Sequence, residues 1–177
     1  MKKQSALCLV LLCSISVFAQ QKLMPVNSES NVHFEIHNFG IKTDGKLVGL
    51  KGQIVFDVKN ISNSFFDVTV DVSTIDTDNR KRDRHLLKEE YFDASRYPTI
   101  HITGKPILLS KDKYILKANL TIKDVTKGVD IPFSIKKQLN EYLFEGNFKI
   151  NRIIFHVGSN SAVLGDDVKI SLKVLAK

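Results

Sequence analysis

Apolar side chains recur at every second position through most of this chain. Val32, Phe34 and Ile36 alternate with His33, Glu35 and His37, and Phe66, Val68, Val70 and Val72 alternate with Asp67, Thr69 and Asp71. A period of two puts one set of side chains on each face of an extended strand, so the pattern demands half-buried β-structure rather than amphipathic helix. It returns at Tyr114, Leu116, Ala118, Leu120 and Ile122, at Val129, Ile131, Phe133 and Ile135, at Tyr142, Phe144, Phe148 and Ile150, and at Val168, Ile170, Leu172 and Val174. With residues 47–57 and 99–103 added, the expected count is about eight strands.

Short polar turns at 110–113, 124–127 and 138–141 leave no room for crossover helices, so successive strands are antiparallel neighbours. No internal repeat or Gly/Ser/Pro-rich linker divides the chain, and one domain is expected over residues 20–177. Such strands either stack as two sheets or close on themselves. Closure removes the exposed edges and, at this strand number, leaves an interior that side chains fill or that holds one small ligand. Gly52, Ala118 and Gly146 lie on apolar faces beside bulky neighbours. Two readings fit them: space reserved inside, or relief for sheet curvature.

The first nineteen residues have a different character. A cationic MKK precedes the apolar run ALCLVLLCSISVF, which is short for a bilayer span, and Ala19 ends it where a signal peptidase would cut. A signal peptide over residues 1–19 and a periplasmic or secreted product are therefore expected. Cys8 and Cys13 each follow a leucine, where lipoprotein processing needs a small residue, and they read as apolar filler. The rest of the chain has no cysteine, so its stability must come from an ordinary core. Loss of Lys2 and Lys3 lowers the net charge from +7 to +5, with no basic block, no interleaved aromatics and no tryptophan. That excludes nucleic acid as the natural partner and leaves mild attraction to anionic membrane surfaces.

One segment breaks the strand pattern. NRKRDRHLLKEEYFD, residues 79–93, is dense in Arg, Lys, Asp, His and Glu. Residues 73–78 supply N-caps before it and Pro98 forbids continuation after it, so one helix or two short ones are expected. Leu86, Leu87, Tyr91 and Phe92 suffice to dock such a helix on a barrel rim, with Arg80, Lys81, Arg84 and Lys88 facing water. A catalytic reading would pair His85 with Asp83, Glu89 or Glu90, but no nucleophile motif such as Gly-x-Ser-x-Gly accompanies it. A metal reading would take His33, Glu35 and His37, alternate residues about 6.6 Å apart on one strand face. No further ligand is visible nearby, and that face is the polar, outward one.

The order and spacing of several runs resemble the YceI-like proteins, exported bacterial polyisoprenoid-binding proteins with a lipocalin-like fold. They are VHFEIH at 32–37, GQIVFD at 52–57, STIDTDNR at 73–80, RDRHLL at 82–87, YFD at 91–93, YPTI at 97–100, LTIKDVTK at 120–127, INR at 150–152 and GDDV at 165–168. Lys123-Asp124 stands where family members often carry Arg-Gly, and Ile153-Ile154-Phe155 adds an apolar side chain after Asn151-Arg152. The resemblance implies an all-β, eight-stranded antiparallel lipocalin-like barrel with a short helical cap inserted after the third strand. It implies a long apolar tunnel for an isoprenoid or similar amphiphile, no enzymatic activity and no cofactor. The Arg-Asp-Arg-His run is then a structural signature that organises the cap.

On this reading inward parity offers Phe34, Phe56, Leu116, Ala118, Leu120, Phe133, Phe144, Phe148, Ile170 and Leu172 as tunnel wall, a parity that ordinary core packing satisfies equally. Arg80 and Arg84 are the cap residues expected to meet a headgroup. The expected function is sequestration or transport of a polyisoprenoid or similar long-chain lipid, with transient membrane-surface contact and a homodimer through an edge or rim. The alternatives are a structural or stress-related barrel with a filled core, and a His-dependent hydrolase or metal-binding protein.

Overall fold

Ten strands, not eight, form one antiparallel sheet in the computed structural model, which describes residues 21–177. The expected leader and both cysteines lie outside the described residues. The strands are β1 (Gln21–Leu23), β2 (Asn31–Asn38), β3 (Ile41–Leu47), β4 (Lys51–Phe56), β5 (Phe65–Asp71), β6 (Thr99–Ser110), β7 (Lys113–Ile122), β8 (Val125–Gln138), β9 (Glu141–Asn151) and β10 (Asp167–Ala176). Their order is β1-β4-β5-β6-β7-β8-β9-β10-β2-β3. From β4 to β10 this is a meander, and the sheet curls into a half-barrel. Backbone hydrogen bonds draw its margins inward. Met24 and Lys177 exchange two, at 2.8 and 3.1 Å, and Lys46 of β3 exchanges two with Asp76 beyond β5, at 2.9 and 3.0 Å.

The helix α1 (Arg80–Leu86) follows β5, not the third strand, because β1 and β3 precede it unannounced by the alternation. β1 is only three residues long. β3 reads IKTDGKL, with an Asp-Gly pair that signals a turn. In the fold Gly45 sits mid-strand opposite Phe34 of β2, and a Cβ built on it would lie 2.2 Å from the Phe34 ring tip. The ring of one strand occupies the place of the missing side chain on the next. The expected turn at 124–127 also shifts: Ile122 pairs with Val125, so the turn is Lys123-Asp124, with Lys123 at φ 55°.

β6 continues to Ser110 through Pro106, which lies beyond the last β5 pairing at Gly104 and so on a stretch with one strand neighbour. Gly52 adopts φ +114°, and a Cβ there would meet the Asp67 carbonyl oxygen at 2.1 Å. Close strand approach, not reserved volume, accounts for that glycine.

Asn79 caps α1, its side chain accepting from the Lys81 and Arg82 amides at 3.1 Å each. Leu86, Leu87 and Phe92 pack on the main core, while Arg80, Lys81, Arg84 and Lys88 are exposed. The core has two foci. At one end of the half-barrel Phe56, Phe66, Tyr114, Phe133, Tyr142 and Phe144 pack together with Leu23. At the other, Leu120, Ile122, Phe155 and Val157 pack against Tyr91 and Phe92 of the cap segment.

Candidate functional site

Between these foci the interior is hollow. A cavity of about 580 Å³ runs from the cap to the aromatic cluster, within the range of small-molecule sites, about 300–1,000 Å³. Its wall is made by the inward set of the alternating strands, which is why it is apolar: Phe34, Leu116, Leu120, Phe133, Phe144, Phe148, Ile170 and Leu172 all line it. Several of these, including Phe34, Phe148, Ile170 and Leu172, are only partly buried although they point inward, as befits side chains facing a void.

Two of the expected wall residues lie elsewhere. Phe56, 2% exposed, sits one tier deeper, its ring 5.4 Å from Tyr114 and 5.6 Å from Phe144. Ala118 is buried between Leu116 and Leu120 and is too short to reach the lumen. Gly146 lines the cavity, and a Cβ there would crowd the Pro132 carbonyl oxygen at 2.9 Å, so strand approach and lumen width are both served by its missing side chain.

The cap end supplies the polar groups. Arg80 and Arg84 point to water, whereas Arg82, His85 and Leu86 of the same helix line the cavity. Arg82 and Leu86 are one helical turn apart on one face, and that spacing was the signal by which sequence reasoning could have found Arg82. Its Nε donates to Thr77 Oγ1 at 2.8 Å and its Nη2 to the Thr77 carbonyl at 2.6 Å. Asp83 accepts from the amide and hydroxyl of Thr77, so it is not the partner of His85, whose ring instead meets Tyr91 edge-on at 4.9 Å. Among the described residues no hydrogen bond or ion pair joins His85 to Asp83, Glu89 or Glu90, the three partners the catalytic reading offered.

The mouth is framed by the cap, the β7–β8 turn and the loop 152–166. Lys123 Nζ donates to the carbonyls of Glu89 and His156, and the Gly158 amide donates to the Glu90 carbonyl. Arg152 holds the loop from inside. Its side chain is 4% exposed; Nε donates to Gly165, Nη1 to Val157 and Ser159, Nη2 to Leu164, all backbone carbonyls, and Nη2 also pairs with the Asp166 carboxylate at 3.1 Å. The loop residues Asn160, Ser161 and Val163 line the cavity yet are exposed, so the cavity opens to solvent there. Arg152 follows Ile150 at inward parity, a charged residue in an apolar series.

The other charge cluster is outside. On the outer face of β2, Glu35 bonds Lys42 and Lys169 at 2.9 Å each, and these two ammonium groups pull its pKa from 4.5 down to about 2. His33 meets Asp44 at 3.3 Å. Among the described residues no three metal-ligating side chains come together.

Comparison with known proteins agrees with this geometry. Residues 24–176 match the family model of the YceI-like domain. A relative from Photorhabdus laumondii, UPF0312 protein plu2095, is 28% identical over 68% of this chain, a match spanning 64% of its own length. Burkholderia cenocepacia BcnA has a similar fold, with a TM-score of 0.82 at 22% identity over 86% of this chain and 99% of that one. So does a polyisoprenoid binding domain from Saccharophagus degradans implicated in plant cell wall breakdown, with a TM-score of 0.69 at 9% identity over 90% and 99% of the two chains.

Proposed function

The chain belongs to the YceI-like family, and from that premise we propose that it binds one polyisoprenoid or similar long-chain amphiphile and carries its tail through water. The cavity is the observation that carries this reading: an apolar lumen whose charged lining, among the described residues, is Arg82 and His85 of the cap and Arg152 at the mouth. Burial of each methylene contributes about 0.8 kcal/mol. Ten or more buried carbons therefore contribute about 8 kcal/mol or more, from which the cost of ordering and immobilising the chain is subtracted. The fold shared with the Saccharophagus degradans polyisoprenoid binding domain supports the same ligand class. Arg82 and His85 replace Arg80 and Arg84 as the groups a phosphate or carbonyl headgroup would meet.

The leader-like residues 1–19 support an exported, periplasmic or secreted protein. Membrane contact belongs to the same reading. Phe39 and Ile41, 73% and 70% exposed, form the β2–β3 hairpin tip, and the Phe39 amide bonds the carbonyl of Val163 at the mouth. They give the rim an apolar surface on which lipid can pass from bilayer to lumen. The unpaired margin of β6, with Leu108 and Leu109 exposed, is the edge the reading offers a second copy.

Titration with a fluorescent alkyl probe, displaced by prenyl alcohols, tests the proposal. Ile170→Asp places a carboxylate on the lumen wall without disturbing the aromatic cluster, and is expected to weaken binding about 100-fold or more at unchanged circular dichroism. Equal affinity in the two proteins would exclude the cavity as the site.

A further inference from the structure

The cavity is open at the mouth and stopped at the opposite end by buried aromatic rings. Phe66, Phe133 and Phe144 line the lumen and touch one another, with ring centroids 5.5 to 6.2 Å apart. Behind them lie Phe56, Tyr114 and Tyr142. Tyr114 stacks on Phe133 at 5.3 Å, Tyr142 on Phe144 at 6.2 Å, and Phe56 meets Phe144 edge-on at 5.6 Å. All six rings are at most 9% exposed, and Leu23, at 0%, packs in the same cluster. Rings interlocked in two tiers cannot part for a ligand tip without opening a void in a close-packed core.

We infer that this floor is a length stop: it fixes how much of an apolar chain the protein covers, and the open mouth lets any excess protrude. The inference rests on the lipid-binding reading above. The cavity holds on the order of twenty methylene-sized groups if each takes about the volume of a water molecule, or roughly four five-carbon isoprene units. Affinity should therefore climb with chain length and then level off, rather than rise without limit or fall.

The experiment is a displacement series with prenyl alcohols of two to eight isoprene units, delivered from cyclodextrin. The expected result is a gain of about tenfold or more per unit up to roughly four units, and less than about twofold per unit thereafter. In a parallel series of straight-chain alcohols stepped one or two carbons at a time, Phe144→Ala, which removes a whole ring from the floor, should move the plateau toward longer chains; Ile131→Phe, which thickens the wall just above Phe133, should move it toward shorter ones. A wild-type affinity still rising tenfold per unit at six to eight units would overturn the length stop, as would an unmoved plateau for the straight-chain alcohols in a folded Phe144→Ala protein. Failure of every alcohol to bind would instead remove the lipid-binding reading itself. The wild-type series decides alone should either variant fail to fold.

Discussion

At the residue scale the lumen depends on missing side chains, at Gly146 and, behind the Phe34 ring, at Gly45. Because the Phe34 ring lies over Gly45, Gly45→Val has to push that ring inward. Prenyl-alcohol affinity should fall about tenfold and stability by about 1–3 kcal/mol, the usual cost of overpacking. Removing the ring as well, in Gly45→Val/Phe34→Ala, should restore much of the affinity, and a double-mutant cycle in the displacement assay reads the coupling. The alternation predicted Phe34 as wall but gave no hint of Gly45, since Asp-Gly signals a turn wherever no neighbouring ring fills the gap. Glu35 on the outer face makes a second residue-level test. Its folded-state pKa of about 2 lies below the ordinary 4.5, so its pairing with Lys42 and Lys169 stabilises the fold above about pH 4.5. That contribution is lost as pH falls toward 2. Glu35→Gln should lower the melting temperature at pH 7, and the gap from wild type should shrink steadily between pH 4.5 and 2.

At the scale of elements, long strands were legible and short or polar ones were not. β7, β9 and β10 announce themselves by five or so alternating apolar residues, whereas β1 is too short for any period to register and β3 has few apolar positions. Missing those two displaced the helix from after the fifth strand to after the third in the expected topology. The loop 152–166 was invisible as an element because side-chain bonds to a buried guanidinium, rather than a backbone ladder, hold it together. Arg152→Ala strands four carbonyls, three of them, on Val157, Ser159 and Leu164, beside the lumen. At about 1–3 kcal/mol per unsatisfied buried group, a loss of about 3 kcal/mol or more is expected in urea unfolding. Arg152→Lys should recover only a minor part, because an ammonium offers three donors from one point where the loop uses a planar fork.

At the scale of the whole molecule, parity settled which face of each strand turns inward but not whether the inside is full. Filled core and ligand wall share the same alternation, so Phe56 and Phe34 read alike in sequence and differ in space: one lies in a solid aromatic floor, the other beside a void. In the proposed function this void holds the tail of one lipid molecule. Native mass spectrometry of the protein purified from bacterial cells, before and after incubation with prenyl quinones and prenyl phosphates, tests it most directly. The result expected is a one-to-one complex whose added mass is that of a single long-chain lipid, retained until organic solvent strips it. A protein that arrives empty and gains no mass from any of these lipids would contradict it.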